Sequence, residues 1–149
     1  MIDAPYIDVG KAADIRNSSE LGWRYFPKPL NKSCYQLPVT PNVPHLLRLW
    51  FSPRISPEIS FALSIETVDM LFVQNISMPQ NTPVFYEYIL FTIGKVVYIC
   101  LVKTSEDDDP CISDIEMRRL QYGMYQDAQP GTILVTLSRC DAGGNSMVR

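Results

Sequence analysis

One histidine, His45, is too little imidazole for a zinc set, and the four cysteines, Cys34, Cys100, Cys111 and Cys140, fall in no CxxC or Cys/His spacing. Neither a metal nor another cofactor is expected. Positive charge is equally thin. The 13 Lys and Arg are scattered among 16 Asp and Glu for a net charge of −3, so there is no basic footprint for nucleic acid. Glu87, Gly94, Lys95 and Lys103 interrupt the longest apolar region before it reaches the roughly 18 residues that read as a membrane-spanning helix. The opening MIDAPYIDVG has neither a basic n-region nor an apolar h-region. No signal peptide is visible, and the expectation is a cytosolic chain or a fragment. G-x-S-x-G, H-E-x-x-H and a phosphate-cradling glycine loop are also missing, so no catalytic motif is present.

What the chain does have is the composition of a globular domain: 46% hydrophobic and 19% charged residues over 149 positions. Twelve prolines against seven glycines disfavour long helices and favour short strands joined by fixed turns. The expected class is all-β. The organising stretch is Phe85 to Leu120, where two runs rich in Tyr, Ile, Val and Phe break at Thr92-Ile93-Gly94. A charged turn at Ser105 to Asp109 and a third run ending in Arg118-Arg119 follow. Helix is the weaker reading there, since Gly94 and the β-branched run KVVYICLVK oppose it. A meander of three strands in the middle of one sheet is predicted. Earlier in the chain, strands are predicted at Tyr6 to Val9, Cys34 to Val39, His45 to Phe51, Ser60 to Glu66 and Met70 to Val73, with Asn75 to Pro83 as a loop. Ser60 to Glu66 alternates, placing Phe61, Leu63 and Ile65 on one face and Ser60, Ser64 and Glu66 on the other. Tyr122 to Pro130 reads as a linker and Thr132 to Leu137 as a last strand.

Candidate functional residues each have a plainer structural reading beside them. His45, at a strand start before two leucines, reads as a partly buried strand-end histidine ahead of a general base. Asp107-Asp108-Asp109 reads as a solvated hairpin turn ahead of a calcium site, because successive carboxylates in a strand do not converge on one ion. A glycosidase would need a carboxylate pair, and Glu66, Asp69, Glu87 and Asp114 are the acids to check; no such pair is expected. Arg118 and Arg119 read as solvent-facing. Among aromatics, Trp23, Tyr25 and Trp50 are the binding candidates. If Leu47, Leu49 and Phe51 form a core face, Leu46, Arg48 and Trp50 lie opposite.

Taken in order, IDVG, Leu21-Gly22-Trp23, Arg24-Tyr25-Phe26-Pro27, CYQLPVTP, HLLRLWF, SFALSI, VVYICLVKT and PCISDIEMRRL resemble the malectin-like extracellular domain of plant receptor-like kinases. That family shows an IDCG start, a CYxLPVTPG turn, YLVRATF, PSFDLYIG and ISVCLVNTG strands and a PFISALELRPL strand in the same order. The resemblance covers Ile7 to Tyr125 and implies a malectin-type antiparallel β-sandwich. Gly131 to Arg149 is similar to the family's R-D-x-G-G passage into a second lobe, which implies a lobe over residues 1–125 and the start of another over 126–149. It further implies a non-catalytic recognition module at the extracellular face of the plasma membrane, binding cell-wall carbohydrate or a secreted peptide, with a co-receptor protein as a further partner. The chain departs from the pattern at Val9 and Cys111, which replace a Cys and a Phe. The family's tyrosine-rich loop is also reduced to Ser52 to Pro57, and this favours the rival reading of a structural lobe with no ligand of its own.

The resemblance implies a disulfide between Cys34 and Cys100, where the family also has cysteine. Read from the residues alone, both are equally suited to be buried free thiols. Cys111 and Cys140 fall on loop or tail, paired or free. In an extracellular setting the sequons at Asn17, Asn31 and Asn75, all in segments read as loops, are glycosylation candidates.

Overall fold

The computed structural model describes residues 11–12, 24–26, 31–51, 58–79, 82–121, 123–125 and 127–138. Among these residues every regular element is a strand. They are β1 (Lys11–Ala12), β2 (Arg24–Tyr25), β3 (Lys32–Pro38), β4 (His45–Phe51), β5 (Ile59–Glu66), β6 (Leu71–Met78), β7 (Val84–Phe91), β8 (Val96–Lys103), β9 (Cys111–Ile112), β10 (Asp114–Arg119) and β11 (Thr132–Val135). The all-β expectation holds. Two 4-stranded antiparallel sheets, ordered β3-β8-β5-β6 and β10-β4-β7-β11, stack against each other, and a small 3-stranded sheet, β1-β2-β9, flanks them.

Period-2 alternation decides which side of each strand is buried. On β4, Leu47, Leu49 and Phe51 are fully buried; on β5, so are Phe61, Leu63 and Ile65. Val97, Ile99 and Leu101 of β8 and Tyr88 and Leu90 of β7 complete the shared core, with Phe26, which follows β2, and Cys111 and Ile112 of β9. Rings link the layers directly, Phe51 with Phe61 at 5.7 Å and Phe72 with Tyr88 at 5.6 Å. Each such side chain removed from water contributes about 1.5–3 kcal/mol, so this interdigitated layer is the main source of cohesion.

Several local expectations are corrected. The three runs between Phe85 and Leu120 are strands but not a meander in one sheet: β7 lies between β4 and β11, β8 lies between β3 and β5 in the opposite sheet, and β10 returns to the first. The short Thr92–Lys95 link can cross the gap of about 10 Å between packed sheets. A central strand is equally apolar whichever sheet it joins, so composition could not separate pairing from stacking. For the same reason β3 and β4, joined by Thr40 to Pro44, sit in different sheets.

Asn75 is not in a loop. Strand β6 continues to Met78 because Ile76 and Met78 must reach the core, where both are 1% exposed. The inward polar residue Gln74 is satisfied by the Tyr88 hydroxyl, which donates to its Oε1 at 2.9 Å. The acidic run at 107–109 is no hairpin turn either; it joins β8 to β9 across sheets, with Asp109 paired to Lys103 Nζ at 2.6 Å. Cys111 lies in β9 instead of a loop, and burial of its free thiol pushes its pKa up to about 12.

Cys34 and Cys100 form the disulfide that the resemblance implied. They stand directly opposite each other on β3 and β8, on the outward face, yet are 1% and 0% exposed. Lys32, one row away on β3, reaches Glu66 Oε1 on β5 at 2.6 Å, so its alkyl stem passes over the disulfide row. Ser64 donates to the same oxygen at 2.5 Å. Closing a loop across a sequence separation of 66 restricts the unfolded chain. Replacing both cysteines with alanine is expected to cost about 2–5 kcal/mol, read as a lower midpoint in urea with an intact far-UV spectrum.

Candidate functional site

The outward face of the β10-β4-β7-β11 sheet carries the most unusual chemistry. Register places Arg48 between Glu116 on β10 and Glu87 on β7. Its Nε and Nη2 both reach Glu87 Oε1 at 2.6 Å, and Nη1 reaches Glu116 Oε2 at 2.8 Å. Arg118 Nε adds a contact with Glu116 Oε1 at 3.2 Å, so charges alternate across three strands. Arg48 and Glu87 are buried although they point away from the sandwich core. In such surroundings neither charge is tolerable alone, and the pair holds β4 and β7 in one register. Sequence reasoning placed Arg48 on this face but missed its partner. The available signal was Glu87 itself, a single acid inside the apolar run VFYEYILF.

One row along, Trp50 is opposite Phe85 on one side and Asp114 on the other. The two rings lie 4.9 Å apart and tilted by 30°, and Phe85 is 55% exposed. An aromatic pair open to solvent and bordered by a carboxylate can take an apolar, cationic or sugar group. At the opposite end of this face, Leu46 and Ile89 are buried. The connection from β10 to β11 has to pass from one edge of the sheet to the other at that end. It is fixed by the Leu120 amide to Pro44 O at 3.0 Å and the Gly131 amide to Phe91 O at 2.7 Å. Gly131 has φ of 80°, and a Cβ there would sit 3.3 Å from Asp69 O. Along the way Tyr125, Asp127, Ala128 and Gln129 line a shallow cleft of about 330 Å³ with Thr132 and Leu134.

Hydrogen bonds pin the turns at this end. His45 Nδ1 donates to Val43 O at 2.8 Å while Nε2 accepts from the Thr40 amide at 3.3 Å, which requires the neutral ring. Burial, with the Arg119 charge adding to it and the Val43 bond opposing, holds its pKa below the usual histidine value. The ring is a strut for the Thr40 to Pro44 turn. Asp69 accepts from the Thr67 hydroxyl at 2.7 Å, the Thr92 hydroxyl and the Ile93 amide at 3.0 Å, tying the β5–β6 turn to the β7–β8 link. Burial raises its pKa, but these bonds outweigh that and hold it below the usual carboxylate range.

The acids considered for a glycosidase pair therefore have separate partners: Glu66 holds Lys32, Glu87 holds Arg48, Asp69 serves the turns, and Asp114 accepts from the Ile115 amide at 2.8 Å. Glu66 and Glu87 lie on opposite outward faces of the sandwich. Among the binding candidates, Trp50 faces outward with Phe85, whereas Tyr25 is half-buried against the core; Trp23 lies outside the described residues. Asn31 is exposed just before β3, Asn75 is exposed on β6, and Asn17 lies outside the described residues, as do Tyr6 to Val9, Cys140 and the interval 52–57.

A family model for the malectin-like domain matches residues 1–149. The chain belongs to the malectin-like family. This malectin-like chain is 28% identical over 128 residues to Receptor-like protein 4 of Arabidopsis thaliana, covering 80% of the chain and 20% of that protein. It is 29% identical over 149 residues to the putative leucine-rich repeat receptor-like serine/threonine-protein kinase At2g04300 of Arabidopsis thaliana, covering 88% of the chain and 16% of that protein. The chain thus spans a fifth or less of the length of these relatives. Among solved structures, a chain in the crystal structure of plant peptide RALF23 in complex with FER and LLG2 superposes with a TM-score of 0.54 at 13% identity, covering 80% of this chain and 35% of that one. The shared feature is the fold.

The electrostatic anchors of this malectin-like domain have measurable consequences. Arg48→Ala leaves Glu87 buried without its guanidinium and is expected to cost about 3–5 kcal/mol in denaturant unfolding, well above the roughly 1 kcal/mol or less expected for Arg118→Ala at the surface. For Asp69, a lowered folded pKa means stability that is full above the unfolded value of about 3.9 and lost as pH falls through the folded one. Asp69→Asn should remove that part of the acid-side slope in a pH series of unfolding midpoints, while lowering stability near neutrality.

Proposed function

We propose that this malectin-like domain is a non-catalytic recognition module at the outer face of a plant cell, part of a receptor-like protein or kinase, and that it takes a secreted peptide on the outward face of the β10-β4-β7-β11 sheet. The observation that carries this reading is the Trp50–Phe85 pair beside Asp114. Its floor is rigid, because the Arg48 network in the next row fixes the strands on which both rings stand. An exposed aromatic pair bordered by polar groups is the kind of anchor that a bound peptide buries at the centre of its interface. Support comes from the solved neighbour, whose crystals contain a plant peptide and further proteins together with the matching fold. A co-receptor protein is proposed as a second partner on the same ground. Transmission of a signal would belong to parts of the parent outside residues 1–149. The lobe is proposed to occupy residues 1–125, with 126–149 leading into a second lobe; the pairing of β11 with β7 supports carrying the first lobe on through Val135.

A cell-wall saccharide is the second reading, favoured by the same rings, whose faces suit sugar C–H surfaces. Calorimetric titration of the secreted chain with a panel of synthetic plant secreted peptides, and separately with cello- and pectin-oligosaccharides, distinguishes the two. Saturable heat with a peptide, weakened roughly 30-fold or more by Trp50→Ala, is the expected result. Saturable heat with oligosaccharides alone would select the second reading, and no heat with either would leave a structural lobe.

A further inference from the structure

Strand β6 is long, uncharged and free of proline, and among the described residues it pairs with β5 alone. Such an edge is a template for another strand, and natural sheets usually protect it with charge, proline or a covering segment. Its outward face makes the exposure worse. Leu71 is 69% and Val73 58% exposed, two large apolar side chains in succession on one face. On that same face follow Asn75 and Ser77, the first and last positions of the sequon Asn75-Ile76-Ser77, while Ile76 points into the core. Both sequon side chains are exposed, and Ser77 Oγ donates to Glu58 Oε1 at 2.8 Å at the surface. The neighbouring rows of β5 carry Ser60, Ala62 and Ser64 opposite Ser77, Asn75 and Val73. The side chains beside the sequon are small, and of them Ser60 is exposed while Ala62 and Ser64 are 7% and 4% exposed.

We infer that Asn75 carries an N-linked glycan that lies over Val73 and Leu71, and that it closes the edge of β6, which has no partner strand among the described residues, against pairing with a second copy. The chemistry is that of a bulky, hydrated group placed where the sheet supplies no charge of its own. Strand geometry accounts for the position, since acceptor Asn and Ser two residues apart necessarily share the outward face. The inference rests on the extracellular reading above.

The test is secretion of the full chain from plant cell culture behind a secretion signal, followed by peptide mapping with and without peptide-N-glycosidase. The Cys34–Cys100 peptide on the same map reports an oxidising compartment. Expected are an Asn-to-Asp mass shift at Asn75, a monomer by light scattering, and self-association of both Asn75→Gln and Ser77→Ala at concentrations where the parent stays monomeric. Adding Val73→Lys to the Asn75→Gln chain should restore the monomer, which a merely misfolded variant would not do. An unmodified Asn75 in the disulfide-bonded protein overturns the site. Monomeric Asn75→Gln and Ser77→Ala chains overturn the shielding role. A map with Cys34 and Cys100 reduced and no glycan on any sequon overturns the extracellular reading, and the inference with it.

Discussion

Everything in this molecule depends on two apolar sheet faces closing on each other. Leu47, Leu49 and Phe51 from one layer meet Phe61, Leu63 and Ile65 from the other, and the remaining strands are positioned by the need to extend those faces. Because the contact is between layers, consecutive strands are free to alternate between sheets. The chain crosses between the two sheets from β3 to β4, β4 to β5, β6 to β7 and β7 to β8, while β5 and β6 pair within one sheet, and short links such as Thr92–Lys95 are stitched by Asp69 and Thr92 instead of by a hairpin ladder.

The closed interior leaves the two outward faces for other work, and the two faces differ. One carries a disulfide under the Lys32–Glu66 bridge and then runs out to an apolar edge at β6. The other carries a buried guanidinium between carboxylates and an aromatic pair open to solvent. A buried ion pair is a weak source of net stability but a strong constraint on register, since a slip would leave a charge unpaired. That constraint suits a surface whose rings must stay in fixed relative positions. The four acids considered for a carboxylate pair, Glu66, Asp69, Glu87 and Asp114, are each engaged in a bridge, a turn or a backbone bond.

Much of this was legible beforehand. Alternation in SFALSIE divided β5 into its two faces, HLLRLWF offered for β4 the division that the structure shows, and the resemblance pointed to the Cys34–Cys100 bond. Other elements misled for identifiable reasons. The polar letters of VQNISM look like loop because Gln74 hides its amide against the Tyr88 hydroxyl, a partner 14 residues away. Glu87 looked like an isolated acid because its counter-charge is 39 residues distant. Phe85, the partner that makes Trp50 a pair, was absorbed into an apolar run.

The sequence by itself determined the class, the approximate positions of most of the longer strands and the division of β4 and β5 into two faces, because these depend on spacing between near neighbours and on backbone preferences that each residue carries with it. Only the tertiary structure decided which strands pair and which stack, which charges meet across β4 and β7, and which strand ends a sheet among the described residues. Those outcomes rest on contacts between residues far apart in the chain, whose energies exist only once the two layers have come together.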